Sequence, residues 1–73
     1  MKVKVGKRMY RMSRKEYQGM LEIAREQIPR GIYAVEKNDY AELLCDKCTS
    51  TTQLKAMIRA YKSQGFKVYA NGR

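Results

Sequence analysis

The chain has 73 residues, two cysteines, no histidine and a formal net charge of +9. That length holds one small domain with no room for a second, and a 44% hydrophobic content supplies a core, which argues against disorder. No apolar run approaches the roughly 18 residues that a bilayer span needs, and without histidine the usual acid/base at neutral pH is missing.

Residues 1–12 read as a β-hairpin. Val3 and Val5 alternate with Lys2 and Lys4, and Met9 and Arg11 alternate with Tyr10 and Met12. Gly6-Lys7 suits a two-residue turn with glycine in the first central position. Ser13-Arg14-Lys15-Glu16 has the capping-box form that opens a helix. Tyr17, Met20, Leu21, Ala24 and Ile28 then recur at helical spacing, and Pro29 ends the helix. Gly31–Glu36 is rich in strand formers, Lys37-Asn38-Asp39 is a turn, and Tyr40–Cys45 reads as the returning strand. A short helix over 40–46 is the alternative, because Ala, Glu and Leu favour helices. Ser50-Thr51-Thr52-Gln53 is a second capping-box form. Leu54, Met57, Ile58 and Tyr61 follow on one face, and Gly65 suits the end of that helix. Phe66–Ala70 is the last strand, with Phe66 and Val68 on one side and Lys67 and Tyr69 on the other. Residues 71–73 read as a frayed tail.

The order ββαββαβ predicts one α+β domain over 1–73, a small antiparallel sheet with two helices packed on one face. Tyr17, Leu21, Met57, Ile58 and Val68 are expected to be buried together. Tyr10 and Tyr61 are expected on core stripes, and Tyr33 or Tyr40 across a hairpin.

Charge is partitioned along the chain. Residues 1–16 hold seven bases and one acid, residues 17–48 four bases and six acids, and residues 49–73 five bases and no acid. If the fold brings its ends together, one basic surface results, of the kind that attracts polyanions or an acidic protein. Lys55, Arg59 and Lys62 lie at i, i+4, i+7 on the second helix. Lys2, Lys4, Arg11, Lys67 and Tyr69 are the remaining candidate binding residues. The cations would contact phosphates, and Tyr69, the best candidate for an exposed working aromatic, could stack on a base. The plain alternative is a solvated face whose lysines discourage edge-to-edge aggregation.

Cys45-Asp46-Lys47-Cys48 can offer two of zinc's four ligands, but no histidine or third cysteine completes the set. A redox dithiol before the second helix is the other option. The simplest reading keeps both thiols reduced, Cys45 as a small core residue and Cys48 as a loop residue, with no metal and no cofactor. Glu22 and Glu26 are the closest carboxylate pair on a helix, and salt links with Arg25 are their expected role. With no nucleophile motif or phosphate loop, no catalytic residue is assigned and the chain is read as a non-enzyme. Gln64-Gly65-Phe66-Lys67-Val68-Tyr69 shares a Gly-Phe and a later Tyr with RNA-recognition motifs. That signature sits on a central strand between helices, whereas this segment follows the second helix. A helix end leading into a buried strand accounts for it.

Met9–Tyr17 and the ending Gly65-Phe66-Lys67-Val68-Tyr69-Ala70 resemble small accessory proteins carried by prophages and mobile elements of Gram-positive bacteria. The resemblance implies an accessory role, such as nucleic-acid handling or inhibition of a host or defence protein, and transfers no site residue. The expectation is a cytoplasmic, non-enzymatic binding protein whose partner is DNA or RNA. The alternative is an inhibitor or adaptor that docks an acidic patch on a protein. No membrane partner is expected, and a homodimer is a further option because so small a chain buries only about 60% of its unfolded surface.

Overall fold

A computed structural model describes residues 1–72. Its elements are β1 (Lys2–Val5), β2 (Arg8–Arg11), α1 (Arg14–Gln27), β3 (Gly31–Lys37), β4 (Tyr40–Lys47), α2 (Thr51–Ser63) and β5 (Lys67–Asn71). The ββαββαβ order and the α+β class are as the sequence predicts, and residues 40–47 form a strand rather than a helix.

Local chemistry explains most boundaries. Gly6, at φ +64°, makes the β1–β2 turn, where positive φ costs glycine nothing. Ser13 and Glu16 form the capping box of α1, the Ser13 hydroxyl accepting from the Glu16 N–H at 3.2 Å. At α2 the Ser50 hydroxyl accepts from the Gln53 N–H at 3.1 Å. Gln53 Oε1 accepts from the Thr49 N–H at 3.0 Å instead of from the Ser50 N–H, so only half of the expected second capping box forms, and the other bond goes to the entering loop. The tail expected to fray from Asn71 does not do so there. Asn71 closes β5, and its amide donates to the carbonyls of Arg25 and Ile28, at 2.6 and 2.9 Å, which α1 leaves unpaired at its C-terminus. Arg73 lies outside the described residues.

The five strands form one sheet in the order β2-β1-β4-β3-β5. Pairings β1–β2, β3–β4 and β3–β5 are antiparallel, but β1–β4 is parallel. The sheet is therefore mixed, not wholly antiparallel. The hairpin β1–β2 is joined to the rest by a crossover through α1 and β3, as a parallel pair requires.

The two helices do not share a face, contrary to the expectation from sequence. Tyr17 and Leu21 of α1, with Ile28 just past its end, pack with Val3, Tyr33, Ala34 and Ala41. Leu54 and Ile58 of α2 pack with Ile32, Val35 and Val68. Ala34 and Val35 are neighbours on β3, so their side chains leave the sheet on opposite sides, and each helix covers one of them. The five residues expected to be buried together thus divide. Tyr17 and Leu21 lie under α1, while Ile58, Val68 and half-buried Met57 lie under α2. The physical reason is that β3 is apolar on both sides. Gly31 through Val35 are all buried, as a strand covered on both faces must be. A register shift between Ile32 and Ala34 turns Tyr33 as well as Ala34 toward α1.

Candidate nucleic-acid interface

Helical geometry puts Lys55, Arg59 and Lys62 on one flank of α2, beside Ile58. All three are exposed. Together with Ile58 they line a shallow groove of about 300 Å³. The other flank of α2 leans toward β4, where the Tyr61 hydroxyl donates to the Asp46 carboxylate at 3.4 Å. At the C-terminal end, Lys37 Nζ donates to the Gln64 carbonyl at 2.9 Å and stands 5.5 Å from the centre of the Phe66 ring. A cation there also suits the negative end of the helix dipole. No acid follows Asp46 in the sequence, so neither α2 nor β5 brings a carboxylate to this flank.

Lys2, Lys4 and Arg11 form a second group. Lys2 is paired across the sheet with Arg11, and Lys4 with Met9. They occupy the α2 side of the sheet, since Val3 and Val5 between them point to α1. Their other neighbours are Tyr40 and Glu42 on β4. Lys4 Nζ lies 3.9 Å from Glu42, the one ion pair among the described residues, and the Tyr40 hydroxyl donates to the same carboxylate at 3.3 Å. Tyr61, Asp46 and Glu42 stand between this group and the cations of α2. The salt links expected of Glu22 and Glu26 with Arg25 do not form among the described residues.

Lys67 and Tyr69 lie on the opposite side of the sheet, because β5 alternates and Val68 points to α2. The expected role of Tyr69 as an exposed aromatic does not fit its place. It is half-buried, its ring centre 6.0 Å from that of Tyr33, with Lys67 Nζ 5.1 Å above it. Burial, then the neighbouring Glu36 carboxylate, pushes its hydroxyl pKa up. The exposed aromatic is instead Tyr10, 44% accessible, beside Met9 at 52%. Sequence pattern assigns Tyr10 to the core, but β2 is an edge strand that pairs only with β1 and all four of its residues are exposed. The single basic surface expected from the sequence is therefore divided. The α2 flank and the hairpin patch share one face without touching, and Lys67 and Tyr69 are on the other face. What sequence pattern misses is Lys37, whose place at the helix end depends on the β3–α2 packing.

The thiols also separate. Their expected places are exchanged, because Cys45 points to the α1 side beyond the packed core. Cys45 is exposed, and Cys48, expected in a loop, is half-buried in the α2 cluster, with its Sγ 3.3 Å from Met57 Sδ. Cys45 lines a groove beside α1. The two side chains thus serve opposite faces and do not converge on one site. Among the described residues no three His, Cys, Asp or Glu side chains cluster.

Beneath α1, fully buried Tyr17 donates its hydroxyl to Glu36 at 2.9 Å. Burial, reinforced by the Glu36 carboxylate, raises the Tyr17 pKa far above its ordinary value. An unfolded tyrosine ionises near pH 10, while the folded one holds its proton. The stabilisation is therefore complete below about pH 10 and is lost as pH rises further. Tyr17→Phe should cost about 1.5–3 kcal/mol at pH 7, where a hydrogen bond to a charged group is removed. It should also lose stability less steeply than the wild type above pH 10. Urea midpoints at neutral and alkaline pH check both effects. Parallel alkaline slopes for the two proteins would show that Tyr17 does not control this loss.

No helix among the described residues is long and apolar enough to cross a membrane. No family model, curated protein or solved structure matches the chain.

Proposed function

We propose that this protein is a non-enzymatic binding domain that contacts nucleic acid through the outer flank of α2, with Lys55, Arg59 and Lys62 on backbone phosphates. The observation that carries this reading is the acid-free flank itself. Three exposed cations line one shallow groove, Lys37 adds a charge at the C-terminal end of the same helix, and no carboxylate from α2 or β5 opposes them. Cations so placed gain by releasing counterions from a polyphosphate. The hairpin cations Lys2, Lys4 and Arg11 contribute less, because Glu42 already neutralises part of their charge.

Fluorescence anisotropy against single- and double-stranded DNA and RNA, as a function of salt, tests the proposal. The expected result is a dissociation constant of about 100 µM or tighter at low salt, weakening as salt rises, the behaviour of generic electrostatic binding. Changing Lys55, Arg59 and Lys62 together to Glu should abolish binding while leaving the circular-dichroism spectrum intact, since none of the three is buried. Single changes should each lower the salt slope by about 1. No binding to any of the four nucleic acids at low salt would sink the reading. An acidic protein surface docking on the same flank would then stand first, and charge reversal would slow its association as well.

A further inference from the structure

The other face of the molecule carries a different surface. Between α1 and the strands β1 and β4 runs an open groove of about 410 Å³, lined mainly by Val5, Leu43, Cys45, Met20, Ile23 and Ala24. Ile23 is 60% exposed, the most exposed large hydrophobic residue of the described chain. It belongs to α1 but lies off the buried stripe of Tyr17 and Leu21, so folding of one chain leaves it in water. Isolated apolar side chains on a surface are ordinary, but here the exposed isoleucine stands at the rim of an apolar groove that a partner could fill.

The two rims differ in charge. The strand-side rim ends in the hairpin turn, where Gly6 lines the groove and is followed by Lys7 and Arg8. Arg8 is paired with Val5 and so points to the α1 side. The helix-side rim carries Glu26, three residues from Ile23 and on the same side of α1. Lys7, Arg8 and Glu26 are all exposed, and none is in an ion pair among the described residues. A surface with one basic rim, one acidic rim and an apolar floor is complementary to a copy of itself turned by a two-fold axis.

We propose that this groove is a self-association surface. Two copies pack isologously, Ile23 of each seated in the groove of the other, with Lys7 and Arg8 of each facing Glu26 of its mate. The contact buries apolar area that a chain of this size cannot cover alone. It uses the α1 face, so the α2 flanks of both copies stay open, and it stands or falls independently of the nucleic-acid reading.

Sedimentation equilibrium over a concentration series, without nucleic acid, tests the assignment. The wild type should show a reversible monomer–dimer equilibrium. Ile23→Lys should weaken it at least about tenfold, with an unchanged circular-dichroism spectrum because Ile23 is already exposed. A hairpin variant, Lys7→Glu with Arg8→Glu, should be monomeric, and so should Glu26→Lys. Mixing these two variants should restore a dimer, because each reversed rim then meets its opposite across the contact. A wild type that stays monomeric at every concentration overturns the proposal, as does an Ile23→Lys protein that dimerises like the wild type. A mixture that stays monomeric overturns the rim pairing.

Discussion

Leu54→Ala should destabilise the protein by about 2–5 kcal/mol, the usual cost of a cavity at a fully buried leucine. Leu54 has no accessible surface and sits at the centre of the α2 cluster with Ile32, Val35, Ile58 and Val68. A domain of this size holds roughly 4–11 kcal/mol in total, so the change removes a large part of what keeps it folded. Leu21→Ala, 6% accessible on the α1 side, should cost a comparable amount. The sheet lies between the two sites, and they share no cluster. Their effects should therefore add within about 0.5 kcal/mol. Chemical denaturation of the two single variants and the double variant measures this. A strongly non-additive double variant would mean that the faces are coupled through β3 rather than independently packed.

Gly31→Ala should be the most damaging single-methyl change in the chain. Gly31 has φ +151°, a conformation that L side chains rarely adopt. A Cβ there would collide with the backbone carbonyl of Asp46 and come within 2.9 Å of Ile28 Cγ2. Neither can move cheaply, because Asp46 is in β4 beside Gly31 and Ile28 is buried. The expected cost is roughly 3 kcal/mol or more, from strain and clash together. Gly19→Ala makes the opposite prediction. Gly19 lies inside α1, and a methyl group added there would meet nothing within 4 Å. Alanine should therefore stabilise by about 0.5–1 kcal/mol through helix propensity alone. Thermal midpoints of the two variants, measured side by side, give the test. A Gly31→Ala midpoint at or above that of the wild type would contradict the close approach of β3 to β4.

Much of the local structure is legible in the residues. Ser13 with Glu16, Ser50 with Gln53, Pro29 after Ile28 and Gly6-Lys7 each mark a boundary that the structure keeps. These signals act within a few residues and need no tertiary context. The placement of each helix against the sheet is not of this kind. An apolar stripe such as Leu54, Met57, Ile58 and Tyr61 requires a sheet face but does not say which one. The one available signal is the unbroken run Ile32-Tyr33-Ala34-Val35. Alternating strands need cover on one side, whereas a continuous apolar strand needs it on both. Tyr10 departs from its expected place for a related reason. Its alternation is that of a half-buried strand, but a strand's position at the sheet edge is set by pairing partners far along the chain.

Residue chemistry and spacing set the α+β order, the caps, and the concentration of positive charge in the first 16 and last 25 residues. They also put Lys55, Arg59 and Lys62 on one flank of a helix, because regular helical geometry leaves no other outcome. How these charges are distributed in space depends on long-range strand pairing. The parallel β1–β4 pairing and the double burial of β3 send α1 and α2 to opposite faces. Lys67 and Tyr69 thereby part from the α2 cations, Lys2 and Lys4 come to rest beside Glu42, and an apolar groove opens next to Ile23. These outcomes depend on which strand meets which over separations of tens of residues. That choice minimises exposed apolar surface for the whole chain at once, and no local pattern encodes it.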